Sequence, residues 1–195
     1  MIEALLLYLA FFGSGLILRP KGTGPGFSAE GELLRLFLYT LPAFGVLAFR
    51  KKTARPGLQD VITCGWVLPA LILLGLGVSA GEGPGIPPVL PKNLPEWTIL
   101  ALSCLGTGYM EESFFRLYLP WKLEEAGLPW GKGVFIAAGL FALCHIYEGP
   151  GGFLFAGLAG ICLALGSGRS RSLHGIAWAH GGYNLYVWLA VSVSG

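Results

Sequence analysis

Glu112 stands four residues before Arg116, and Glu111 stands five before it, in the stretch GYMEESFFRLYLP at 108–120. The rest of that stretch reads as membrane helix. Ionisable side chains are expensive in hydrocarbon and mark function by default. On an α-helix, Glu112 and Arg116 are i,i+4 neighbours and can pair. The 3.6-residue repeat turns Glu111 about 100° away from Glu112. The spacing therefore predicts two carboxylates with different surroundings, one held by the arginine and one pointing into a cavity. A carboxylate of the second kind can take a proton from water. Taken alone, the cluster is equally well read as a structural ion pair.

Two further polar pairs lie downstream at helical spacing. Phe141 and His145 share a face in GLFALCHIYEGP, and His180 and Asn184 share one in IAWAHGGYN. Each pair alone is more simply a hydrogen-bonded packing feature than a catalyst. Gly181 and Gly182, beside His180, predict a close approach of helices. Together, Glu111, Glu112, Arg116, His145, His180 and Asn184 put six polar side chains on three helices, more than packing requires.

The elements that position them are membrane helices. The chain has 195 residues, 54% hydrophobic and only 12% charged, about half the charge of a soluble domain. A net charge of +2, with its basic residues in loops, carries no nucleic-acid signal. Apolar runs at 2–18, 31–49, 58–80, 97–119, 131–147, 152–167 and 173–194 predict an all-α bundle of about seven spans. The first is the least certain to span. The breaks are Gly/Pro-rich or basic: 19–30, 50–57, 81–96, 121–132, a tight turn at 148–152, and 166–172. The five prolines of 81–96 rule out a continuous helix there. If 50–57 is cytoplasmic, that side holds Arg50, Lys51, Lys52, Arg55, Lys122, Lys132, Arg169 and Arg171. The other side holds Arg19, Lys21 and Lys92, which predicts the N-terminus inside and the C-terminus outside. Glu3 and the lack of a basic start argue against a cleaved signal peptide.

EESFFR, FALCH and HGGYN resemble, in order and spacing, the EExxxR, FxxxH and HxxxN motifs of the CPBP family. These are the CAAX-protease and bacteriocin-processing intramembrane endopeptidases, also called ABI or Rce1-like. The resemblance covers about 97–190, the expected catalytic core of a single membrane domain over 1–195. It implies that Glu111 is the general base, that His145 orients or activates water, and that His180 and Asn184 stabilise an oxyanion. Glu112, Arg116 and Phe141 would support them, with no cofactor. The implied substrate is a membrane-associated peptide or protein tail, with sorting-tail cleavage or peptide maturation favoured over removal of a prenyl-CAAX tripeptide. The implied setting is the inner membrane of a prokaryotic cell, with the lipid bilayer as the other partner and no nucleic acid.

Other chemistries leave different marks. There is no HExxH, one aspartate (Asp60) instead of a pair, and no full GxSG serine motif. Cys64, Cys104, Cys144 and Cys162 sit in apolar runs without metal-ligand spacing and read as free thiols, and Cys144 is a remote candidate nucleophile. A zinc-dependent protease using Glu111, His145 and His180 is the second reading. A non-catalytic peptide-binding or immunity protein is the third, and a proton-coupled transporter the fourth. His174 reads as interfacial and Glu148 as a loop acid, while Arg35 has two readings, a side chain that snorkels or a partner for Glu32 at i−3. One conflict remains among these expectations. Measured from the outer helix ends, Glu111 lies about 21 Å deep and His145 close to the surface, which requires a fourth helix that starts later and runs through Glu125, strongly tilted helices, or a 148–152 turn that dips into the membrane.

Overall fold

A computed structural model describes residues 2–13, 26–41, 43–45, 55–79, 89–168 and 173–194. Among these the chain is helical, with one isolated bridge between Gly26 and Val89. Eight α-helices follow in order: α1 Ile2–Tyr8, α2 Ala29–Leu34, α3 Leu58–Ser79, α4 Leu94–Glu112, α5 Leu119–Glu125, α6 Trp130–Cys144, α7 Gly149–Ser167 and α8 His174–Ser194. Three π-helical segments extend or join them: Leu9–Gly13 after α1, Arg35–Thr40 after α2, and Ser113–Tyr118 between α4 and α5. Such segments often accompany functional sites.

Two of these segments, Leu58–Val78 and Ile146–Ser167, are long and apolar enough to cross a membrane. Much of their surface is uncovered by the protein, with Leu58, Leu73, Leu76 and Leu154 all exposed. Exposed apolar area on this scale marks a contact surface, here one suited to lipid. The all-helical expectation holds, and seven spans are not all of this kind. α6 has only 15 residues, and the later parts of the runs at 2–18 and 31–49 fall outside the described residues. So does most of the proline-rich 81–96 segment.

The expected fourth span, 97–119, is too short. Helix is continuous from Leu94, capped by the Asn93 side chain on the Glu96 amide, through the π segment to Glu125. It stops at Gly127, whose φ of 84° suits glycine. The Leu128 amide bonds to the Leu123 carbonyl and the Gly127 amide to that of Glu124, the Schellman pattern. The chain then reverses into α6, which packs on α5 and the π segment. This resolves the conflict of depths. Counted from the shared turn, Glu111 is about 21 Å up one helix and His145 about 22 Å up its neighbour. The earlier mismatch came from ending the fourth helix at 119.

The turn expected at 148–152 also lies elsewhere. α6 ends at Cys144, a short 3-10 turn covers Ile146–Glu148, and Gly149 at φ 85° opens α7. Pro150 falls in the first turn of α7, where its missing N–H costs nothing.

α4 and α8 form the centre, packed antiparallel at backbone contact. A Cβ on Gly108 would lie 2.6 Å from the Ala177 carbonyl, and one on Gly181 2.8 Å from the Leu105 Cα. Gly181 thus meets the expected close approach, while Gly182 faces only Leu68 side-chain atoms at 3.4 Å and 3.5 Å. α3 flanks α8 and α7. Asp60 on α3 accepts from the Gly175 amide in the first turn of α8 and from its own Gly57 amide, both at 2.9 Å. The one aspartate is therefore a structural cap at two helix starts. Around the π segment, an aromatic core joins Tyr8 and Phe12 to Phe114, Phe115, Tyr118 and Phe141.

Candidate active site

The centre of the site is His180 on α8. Its Nδ1 lies 2.7 Å from Glu112 Oε1, and its Nε2 lies 3.6 Å from Glu111 Oε2. A carboxylate only accepts, so Nδ1 carries a proton and donates to Glu112. The expectation that the glutamates diverge is thus half right. They have different surroundings, Glu112 fully buried and the Glu111 side chain 15% exposed, yet both converge on one imidazole. The close crossing of α4 with α8 at Gly108 and Gly181 brings the imidazole within reach of both carboxylates. Arg116 lies within the π segment that begins at Ser113. Its Nε is 3.2 Å from Glu112 Oε2, the pairing that the i,i+4 spacing predicts.

Phe141 organises the second helix of the site. His145 packs on its ring at 4.7 Å between centroids and His180 edge-on at 5.8 Å, while the Arg116 guanidinium sits 5.3 Å from the same centroid. His145 is the C-cap of α6, not a mid-helix residue, with φ −106° and ψ 9°. Its Nδ1 is 2.9 Å from the Phe141 carbonyl. A carbonyl only accepts, so His145 Nδ1 carries a proton, which leaves Nε2 as the ring nitrogen that can present a lone pair. Asn184 is half-buried one turn beyond His180, with no side-chain hydrogen bond to the described residues.

Glu111, His145 and His180 do not fit a zinc ion as they stand. Among the described residues, no group of three or more His, Cys, Asp and Glu side chains is arranged to hold a metal. Cys144 turns away from His180, toward the Leu140 carbonyl and the Tyr8 hydroxyl. All four cysteines are free. Glu148 is exposed in the 3-10 turn.

Two features escaped the sequence. Tyr8 of α1 donates to the Leu140 carbonyl at 3.0 Å, so the first helix braces the end of α6 that carries His145. No local signal links positions 132 residues apart. His174, read as interfacial, bonds through Nδ1 to the Tyr109 hydroxyl at 2.9 Å, and Trp178 Nε1 donates to that hydroxyl at 2.8 Å. This chain ties α4 to the first turns of α8. The position of Tyr109 two residues before Glu111 was the available clue.

Comparison with curated proteins and with solved structures returns no match. A family model does match, over residues 93–186, a stretch that holds Glu111, Glu112, Arg116, Phe141, His145, His180 and Asn184. Over residues 93–186, just under half of its length, the chain is similar to the family described as type II CAAX prenyl endopeptidase Rce1-like.

Proposed function

We propose that this protein is an intramembrane endopeptidase that hydrolyses a peptide bond with Glu111 as general base. The observation that carries the reading is the division of labour around His180. Glu112 is fully buried and engaged by His180 and Arg116, whereas Glu111 keeps partial access on the Nε2 side of the same ring. Amide hydrolysis needs a base for water and donors where negative charge develops. Glu111 takes the proton from water and later returns it to the leaving amine. The lone pair on His145 Nε2 accepts the second water O–H and aims the attack. His180 and the Asn184 amide donate to the oxyanion. For His180 to donate from Nε2, both its nitrogens must carry protons, and the carboxylate on each side supplies the countercharge.

The chain would cross the membrane seven times with its N-terminus inside, and act on a membrane-associated peptide or protein tail. Glu111→Gln is expected to lower cleavage of a membrane-tethered reporter by about a hundredfold to ten-thousandfold, the usual weight of a general base. The variant should remain folded and inserted, and full retained activity would sink the reading. Cleavage is expected to survive chelation, and activity lost with a stoichiometric zinc would establish the metal alternative. Paired reporters with and without a prenyl group on the C-terminal motif decide the substrate class, and we favour the unprenylated tail.

A further inference from the structure

Arg116 is more deeply enclosed than an ion pair with Glu112 explains. Its side chain is 2% exposed and that of Glu112 is 0%. Nε faces Glu112 Oε2 off the hydrogen-bond line, and Nη1 and Nη2 have no acceptor among the described residues. Four buried polar atoms of one ion pair therefore lack a hydrogen bond: Arg116 Nε, Nη1 and Nη2, and Glu112 Oε2. Arginine cannot shed its charge to escape this. The aromatic walls attract the cation, with the Phe141 and Phe115 centroids 5.3 and 5.9 Å from the guanidinium carbon. A ring face attracts the charge but leaves most of the in-plane N–H bonds unmet.

The partner must accept from guanidinium N–H groups and also donate to a carboxylate oxygen. A small anion can do only the first, and Glu112 repels it. Water does both, and with two to four polar partners it is held stably inside proteins. We infer that Arg116 and Glu112 build an internal water-binding site, enclosed by the Phe115 and Phe141 rings. Glu112 connects this site to His180, so bound water continues the polar array on the side away from Glu111. The inference does not depend on whether the protein cleaves peptides.

Hydroxyl-radical footprinting of the intact protein in lipid nanodiscs tests it. Radicals formed at a bound water attack the side chains beside it. Phe115 and Phe114 are both fully buried, but only Phe115 is placed against the guanidinium. Hydroxylation of Phe115 is expected to exceed that of Phe114 by about threefold or more, as for a side chain lining a water site. Equal rates overturn the proposal. A crystal structure grown in bromide distinguishes the two ligand classes. An anomalous peak at the guanidinium overturns the water assignment, and water density without such a peak supports it.

Discussion

Among the described residues, two Glu–Arg pairs lie beside π-helical turns, and they differ in nearly every physical respect. Glu32 and Arg35 lie where α2 passes into its π segment, and Glu112 and Arg116 where α4 does. Arg35 is 43% exposed, and its Nη2 bonds both to Glu32 and to Ser103 on α4, 2.9 Å away. Ser103 in turn donates to Glu32. That triad is closed and wet at one edge. The Glu112–Arg116 pair is sealed, shares its carboxylate with His180, and leaves guanidinium N–H groups without acceptors among the described residues. Similar sequence spacing thus yields a helix-to-helix fastening in one place and a charged, incompletely satisfied centre in the other. The Glu32–Arg35–Ser103 triad fastens helices and meets its remaining bonds from solvent at its exposed edge, whereas unmet bonding capacity in a sealed site can be used by water or by a reacting group.

Several substitutions can break or sharpen that contrast. The largest effect is expected from Arg116→Leu, which strands Glu112 in a sealed site. Losing one partner of a buried pair costs about 3–5 kcal/mol. Chemical unfolding in detergent measures it, and a loss below about 1 kcal/mol would place Arg116 with the exposed pairs. Next comes Gly108→Ala. Its Cβ would lie 2.6 Å from the Ala177 carbonyl, backbone that cannot step aside, so α4 and α8 must separate. Overpacking of this kind costs about 1–3 kcal/mol, and the shift moves His180 from the glutamates, so activity is expected to fall further than stability. Gly106→Ala is the matched control near the other pair. Its Cβ would approach Leu36 Cδ1 at 2.8 Å, the end of a flexible side chain that can rotate. A loss of under about 1 kcal/mol with activity kept is expected. The smallest effect belongs to Arg35→Gln, about 0–1 kcal/mol for a partly exposed pair. A larger loss there would erase the distinction between the two regions.

The same contrast shows what was legible from sequence. Both pairings, Glu32 with Arg35 and Glu112 with Arg116, follow from residue spacing along one helix. The Phe141–His145 contact follows in the same way, although His145 turned out to cap its helix. None of these depends on another helix. The convergence of Glu111 and Glu112 on His180 was not legible, because it depends on the crossing of α4 with α8. The common depth of Glu111 and His145 was left open by the sequence, with a fourth helix running through Glu125 as one of three ways to reach it. Apolar periodicity marks where a helix meets lipid, whereas α5 continues the fourth helix to Glu125 with a charged, interfacial sequence.

By itself the sequence determined a helical membrane protein, the polar residues of the candidate site, and their neighbours within each helix. Those follow from hydrophobicity and the helical repeat, which act over a few residues. Only the tertiary structure decided which imidazole nitrogen meets which carboxylate, that Tyr8 braces the end of α6, and that Arg116 is sealed without a further acceptor among the described residues. These depend on how closely backbones approach at Gly108 and Gly181, and on the register set by the turn at Gly127. Such contacts join residues tens of positions apart, and no local pattern encodes their distance.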